Sequence, residues 1–137
     1  MTNRPSALVD TNVLLDVLTS DPQWEAWSLR VLDAASLIGQ VAINDVVYAE
    51  LSVRIPNIEL LDAFLDDVGL EVAPMPRAAL FVAGKAFGRY RALGGPRSGV
   101  LPDFFIGAHA ATLGVRLLTR DARRYRSYFP TLKLVTP

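Results

Sequence analysis

The stretch that most constrains this chain is Ala7-Leu8-Val9-Asp10-Thr11-Asn12, followed by Val13-Leu14-Leu15. Three apolar residues run into an acid, then into two turn-forming polar residues, then into a second apolar group. The pattern predicts a short buried strand that ends on a carboxylate and turns at once into a helix. In an open α/β sheet, ligands bind in the crevice at the carboxyl ends of the strands. Asp10 therefore stands where chemistry is expected.

The rest of the chain repeats short strands and helices. Asn12 to Leu18 reads as the first helix, and Asp21-Pro22 begins a second that reaches about Leu37. Val41-Ala42-Ile43 is a second strand, and Asn44 suits the N-cap of a helix from Asp45 to about Arg54. Ile58 to Val68 is helical with Gly69 as its C-cap, and Leu70 to Ala73 is a third strand. Pro76 opens a long helix to about Leu93; Gly94 to Gly99 is a loop; Leu101-Pro102-Asp103 opens a helix to about Leu113. Val115 to Leu118 is a fourth strand, Ala122 to Tyr128 a short basic helix, and Leu132 to Val135 a last strand. Alternation of this kind points to a parallel sheet in a layered α/β fold, with all strand carboxyl ends on one edge. No internal repeat or linker is visible, so residues 1–137 read as one domain.

Composition excludes several classes. With 51% apolar residues the chain is not disordered, and without cysteine it has neither disulfides nor a thiolate metal site. No apolar run is long enough to span a bilayer, and Met1 to Ser6 does not resemble a signal peptide, so a cytoplasmic protein is expected. The net charge is zero, yet residues 1–76 hold twelve acids and three bases, whereas residues 77–137 hold eleven bases and two acids. Either the basic half offers a face to a polyanion, or the two halves pair when folded. The two acids of the basic half, Asp103 and Asp121, need their own explanation.

Taken singly, Asp10, Asp103 and Asp121 stand at helix starts, where an aspartate caps free N–H groups. Glu50 lies along the apolar stripe of its helix with Val46, Val47 and Leu51, which requires a partner: an arginine or a cation. Taken together, the four acids can meet at one edge of one sheet. Two carboxylates about 5 Å apart repel by roughly 3 kcal/mol at an effective dielectric of about 20, so a cluster calls for a cation. Oxygen-only donors suit Mg²⁺ or Mn²⁺ rather than Zn²⁺. Beside a basic surface, the implied chemistry is metal-assisted phosphodiester hydrolysis.

Four segments also carry a resemblance: Leu8-Val9-Asp10-Thr11-Asn12-Val13-Leu14-Leu15, Tyr48-Ala49-Glu50-Leu51, Leu101-Pro102-Asp103-Phe104-Phe105-Ile106-Gly107-Ala108-His109-Ala110 and Leu117-Leu118-Thr119-Arg120-Asp121. In order and over nearly the whole chain they resemble PIN-domain ribonucleases, and among these the VapC toxins of bacterial type II toxin–antitoxin pairs. The resemblance implies a three-layer α/β fold with a central, mostly parallel sheet flanked by helices. It implies that Asp10, Glu50, Asp103 and Asp121 bind Mg²⁺ or Mn²⁺ and cleave RNA, that Thr119 is a polar residue of the site, and that Asn12 orients Asp10. It further implies a homodimer and a cognate antitoxin. One departure stands out: some relatives carry another acid shortly after the last aspartate, where this chain has Ala122-Arg123-Arg124.

Arg120, Arg123, Arg124 and Arg126 adjoin Asp121 and are candidate phosphate contacts, as is Arg97 in the glycine-rich loop. That loop lacks a P-loop lysine. The single histidine, His109, excludes histidine-pair catalysis and reads as a packing or dimer-surface residue. Asp16 reads as solvated, and Trp24 and Trp27 as core or partner-binding residues. Three rivals remain at this point: a PIN-like nuclease for RNA processing or structured DNA, a phosphoacceptor signalling domain, and a PIN fold kept for binding.

Overall fold

A computed structural model describes residues 4–96 and 101–137. Arg97, with Ser98 and Gly99 of the expected loop, lies outside the described residues. The elements run β1 (Ala7–Val9), α1 (Thr11–Leu18), α2 (Glu25–Ile38), β2 (Val41–Asn44), α3 (Asp45–Ser52) and α4 (Ile58–Val68). They continue with β3 (Leu70–Ala73), α5 (Arg77–Ala92), α6 (Leu101–Leu113), β4 (Arg116–Leu118), α7 (Arg123–Tyr128) and β5 (Leu134–Val135).

The five strands form one sheet in the order β3-β2-β1-β4-β5, and every pair is parallel. β1 is central and buried at all three residues, which is why it reads as a continuous apolar run rather than an alternation. From β1 the chain builds outward through β2 to β3, then returns to the other side of β1 for β4 and β5. The direction reverses between β1 and β4, and the crevice of such a sheet opens at that switch point. Asp10 follows β1 there and Thr119 follows β4; Leu8 pairs with Leu117 and Val9 with Leu118.

Local chemistry explains the helix boundaries. Asn44 caps α3 by accepting from the Val47 N–H at 3.0 Å, and Asn57 caps α4 through the Leu60 N–H at 2.9 Å. Gly69 ends α4 at φ +83°, a left-handed conformation that glycine enters without steric cost. The second helix begins later than its sequence suggests. The Asp21 carboxylate accepts from the N–H groups of Gln23 and Trp24, both at 2.9 Å, so residues 21–24 form a capping turn and α2 starts at Glu25. Similarly, α3 stops at Ser52 rather than Arg54, and β5 is two residues long.

One glycine shapes the packing around the crevice. A Cβ on Gly107 of α6 would stand 2.6 Å from the Phe129 ring and 3.0 Å from the Tyr125 ring. Its absence lets both aromatics rest directly on α6, and Tyr125 is only 2% exposed there.

Candidate functional site

Asp10 is the centre of the polar cluster at the switch point. It ends β1 in an extended conformation and caps α1, its Oδ1 accepting from the Thr11 N–H at 2.8 Å. Its Oδ2 accepts from the Thr119 hydroxyl at 2.7 Å, the Tyr125 hydroxyl at 3.0 Å and Asn12 Nδ2 at 3.3 Å. Asn12 also donates to Thr119 Oγ1 and accepts from the Arg120 N–H, tying α1 to the segment after β4. One oxygen is saturated by donors, while Oδ1 keeps acceptor capacity. Burial nonetheless pushes the Asp10 carboxyl above the ordinary aspartate range, with the Glu50 charge adding to it; the hydrogen bonds from Thr119, Tyr125 and the Thr11 N–H work against that rise.

Glu50 is half-buried on α3, and its Oε1 accepts from the Thr11 hydroxyl at 2.5 Å. Among the described residues its partner is this hydroxyl and not an arginine. Asp103 lies in the first turn of α6. Its carboxyl is pushed up to about 6, first by burial and then by the charges of Asp10 and Glu50, against the pull of Arg124. Arg124 of α7 forms an ion pair with Asp103. Asp10, Glu50 and Asp103 thus repel one another across the crevice.

Asp121 behaves differently. It is exposed, and its charge does not figure in the repulsion that raises Asp10 and Asp103. It does not cap α7 either: Ala122 holds that position without a side-chain bond. Its backbone N–H donates to Thr119 Oγ1 at 3.0 Å. Its side chain lines a cavity of about 480 Å³ with Arg123, Arg124, Ser127 and Tyr128.

Among the described residues, no three acidic or histidine side chains converge into a ready-made metal cage. The physical reason is visible in the pairings: Thr11 holds Glu50, Arg124 holds Asp103, and the carboxylates repel. The donor set still fits a hard divalent cation. Three carboxylates lie near enough to feel one another's charge, two are raised by burial and by neighbouring carboxylates, and Asp10 Oδ1 has acceptor capacity to spare; a cation drawing them together relieves each of these costs.

Three sequence expectations change here. Asp16 is not solvated. It is 2% exposed, accepts from the Ser28 hydroxyl at 2.7 Å and forms a two-bond ion pair with Arg120 at 2.7 and 3.0 Å. Arg120 is therefore committed inward, with its guanidinium 5.1 Å from the Trp24 ring centroid, rather than free for phosphate. His109 is fully buried, which removes the dimer-surface reading; burial lowers its pKa, and its ring nitrogens have no hydrogen-bond partner among the described residues. The pair Asp16–Arg120 also joins the acidic half of the chain to the basic half.

Two residues of the cluster escape sequence reasoning: Tyr125 and Thr11. Thr11 is adjacent to Asp10, but nothing in the sequence pairs it with Glu50. Tyr125 looks like a core aromatic of a short helix.

An apolar groove of about 430 Å³ adjoins Glu50, lined by Val46, Ala49, Val53, Leu101, Pro102 and Phe105 with Asp45. Among the described residues, no helix is long and apolar enough to cross a membrane.

Known proteins share this architecture. VapBC2 from Rickettsia felis, solved bound to a DNA fragment from its promoter, aligns with a TM-score of 0.71 and 20% identity over 95% of this chain and 97% of that one. A toxin–antitoxin complex from Klebsiella pneumoniae aligns with a TM-score of 0.68 and 21% identity over 96% of this chain and 98% of the other. VapBC-1 from nontypeable Haemophilus influenzae gives 0.68 and 18%, covering 95% and 96%. At these identities the likeness speaks for the fold. No curated protein sequence matches the chain. The family model described as the PIN domain matches residues 7–129, almost the entire chain, and the protein belongs to the PIN-domain family.

Proposed function

We propose that the protein is a divalent-metal-dependent endoribonuclease, the toxin of a type II toxin–antitoxin pair. The observation that carries this reading is the mutual repulsion of Asp10, Glu50 and Asp103 at the β1/β4 switch point, beside the arginine-lined cavity of α7. Asp10, Glu50 and Asp103 hold Mg²⁺ or Mn²⁺, directly or through water, with Asp121 turning in from the cavity rim. When bound, the cation supplies charge neutralisation at the scissile phosphate and acidifies the attacking water. Asn12, Thr119 and Tyr125 hold Asp10 in one orientation through Oδ2, leaving Oδ1 with acceptor capacity beyond the Thr11 N–H. Thr11 does the same for Glu50. Arg123 and Arg124 hold the RNA backbone; Arg120 locks the loop after β4 instead.

The partner assignments belong to the same reading. The apolar groove beside Glu50 suits an apolar segment of an antitoxin, which would cover the crevice from one side. The similarity to toxin–antitoxin complexes supports this. Exposed Phe81, 67% accessible on α5, and Leu37 and Ile38 on α2 are available to a second copy in a homodimer.

The test is cleavage of RNA by the antitoxin-free protein with Mg²⁺, Mn²⁺ or EDTA, with the product ends identified. The expected result is metal-dependent cleavage without 2′,3′-cyclic phosphate, because water rather than the 2′-hydroxyl attacks. Undiminished cleavage in EDTA would overturn the reading.

A further inference from the structure

Arg124 stands at a boundary. On one side its guanidinium pairs with Asp103, a carboxylate of the acid cluster; on the other its side chain lines the cavity of about 480 Å³. That cavity is also lined by Arg123, Ser127 and Tyr128, with a single acid, Asp121. A lining of two arginines and two hydroxyl-bearing residues against one acid suits a phosphodiester, since guanidinium groups bind phosphate with two parallel N–H bonds.

The two environments of Arg124 compete. A divalent cation beside Asp103 repels the guanidinium and takes the carboxylate it held. A phosphate in the cavity attracts the same guanidinium away from Asp103. We propose that Arg124 is an exchangeable counter-cation. It neutralises Asp103 when the acids hold no metal, and moves to an RNA phosphate in the α7 cavity when metal binds. Resting on the nuclease reading above, this assigns the cavity as the seat of a phosphate flanking the scissile one. It also gives metal and RNA a reason to bind cooperatively: metal frees Arg124 for RNA, RNA frees Asp103 for metal, and coupling of this kind is reciprocal.

The sign of the effect makes the inference testable without catalysis. Mn²⁺ binding is measured by calorimetry on the free protein. Binding of a 2′-O-methyl RNA, checked on gels to stay intact in Mn²⁺, is measured by fluorescence anisotropy with and without Mn²⁺. Arg124→Ala should bind Mn²⁺ more tightly than wild type, by about three- to tenfold, because a competing cation is gone. The same variant should bind RNA more weakly, with the salt slope reduced by about 0.7 per lost phosphate contact. The Mn²⁺-induced gain in RNA affinity should shrink. Arg123→Ala, which removes a cavity arginine not paired with Asp103, should weaken RNA binding alone.

Mn²⁺ affinity that is unchanged or lower in Arg124→Ala would overturn the exchange. RNA affinity unchanged in both variants would overturn the cavity assignment. Inorganic phosphate reproducing the effect of RNA on Mn²⁺ affinity would assign the cavity to a free anion instead. If wild type binds neither Mn²⁺ nor RNA, the nuclease reading itself fails, and the inference with it. Circular dichroism of each variant separates these outcomes from misfolding.

Discussion

The hydroxyl of Tyr125 donates to Oδ2 of Asp10 across 115 positions of sequence, at 3.0 Å and with both side chains buried. Burial and the charges of Asp10, Asp103 and Glu50 push the Tyr125 phenol well above its ordinary value, so it is a standing donor at any working pH. Among the described residues it is the one side-chain hydrogen bond between α7 and Asp10 at the end of β1. Tyr125→Phe keeps the ring packed on Gly107 and removes only the donor. Loss of a buried hydrogen bond to a charged group costs about 1.5–3 kcal/mol. The expected outcome is a lower Tm, together with an acidic limb of the pH–activity profile moved to higher pH, since this hydrogen bond holds the Asp10 carboxyl down. A profile that does not move would show that the Tyr125 hydroxyl only packs.

Gly107 makes that contact possible. Gly107→Ala places a Cβ within 2.6 Å of Phe129 and 3.0 Å of Tyr125. Overpacking of this kind costs about 1–3 kcal/mol. The sharper clash is with Phe129, but the Tyr125 ring that carries the Asp10 donor is pressed as well, so activity should fall by more than Tm alone explains. Urea denaturation and single-turnover cleavage on the same preparation check this; full activity with an unchanged midpoint would contradict it.

Much of this arrangement is legible in the chain itself. The apolar run ending on Asp10 predicts a short buried strand, and the structure buries β1 in the middle of the sheet. Asn44, Gly69 and Pro76 mark helix ends because each acts locally, through a side-chain acceptor, a left-handed φ or a missing N–H. What the sequence hides is long-range and polar. Asp16 has the spacing of an exposed helix residue, and it is buried by the arrival of Ser28 on α2 and of Arg120 from over a hundred positions away. Tyr125 and Thr11 stay hidden for the same reason. The grouping of Asp10, Glu50 and Asp103 follows from motif order, whereas the exposure of Asp121 depends on how the α7 loop turns.

The Arg120–Asp16 pair carries a stability prediction that opposes a phosphate-binding role. Arg120→Ala leaves the Asp16 carboxylate buried with Ser28 as its remaining partner. Removing one member of a buried pair costs about 3–5 kcal/mol, and the partial exposure of Arg120 places this case at the lower end. Chemical denaturation should register that loss. Asp16→Asn in the Arg120→Ala background should recover part of it. An unaltered midpoint with weakened RNA binding would return Arg120 to the phosphate contacts.

Asp103 sets the pH dependence. Its folded-state carboxyl, at about 6, lies above its unfolded value, so between the two the folded protein binds more protons. Without metal, its ionisation therefore destabilises the fold as pH rises toward and through 6. Asp103→Asn removes that cost. After allowance for solvent screening, the variant's metal-free Tm should exceed wild type at neutral pH by about 2–4 °C. The gap should close as pH falls below the Asp103 value. Metal binding reverses the sign: wild type should gain more from Mn²⁺ at neutral pH than in mild acid. A variant less stable than wild type at neutral pH without metal would contradict this.

The most direct test of the account is the thermal midpoint of the antitoxin-free protein in EDTA, Mg²⁺ and Mn²⁺, with Asp103→Asn in parallel and with cleavage-resistant RNA present or absent. A cation that binds only the folded state raises the midpoint by mass action. The account predicts a metal-dependent rise in wild type, larger with RNA, and its loss in Asp103→Asn. A wild-type midpoint indifferent to metal in every condition would mean that Asp10, Glu50 and Asp103 do not form a cation site.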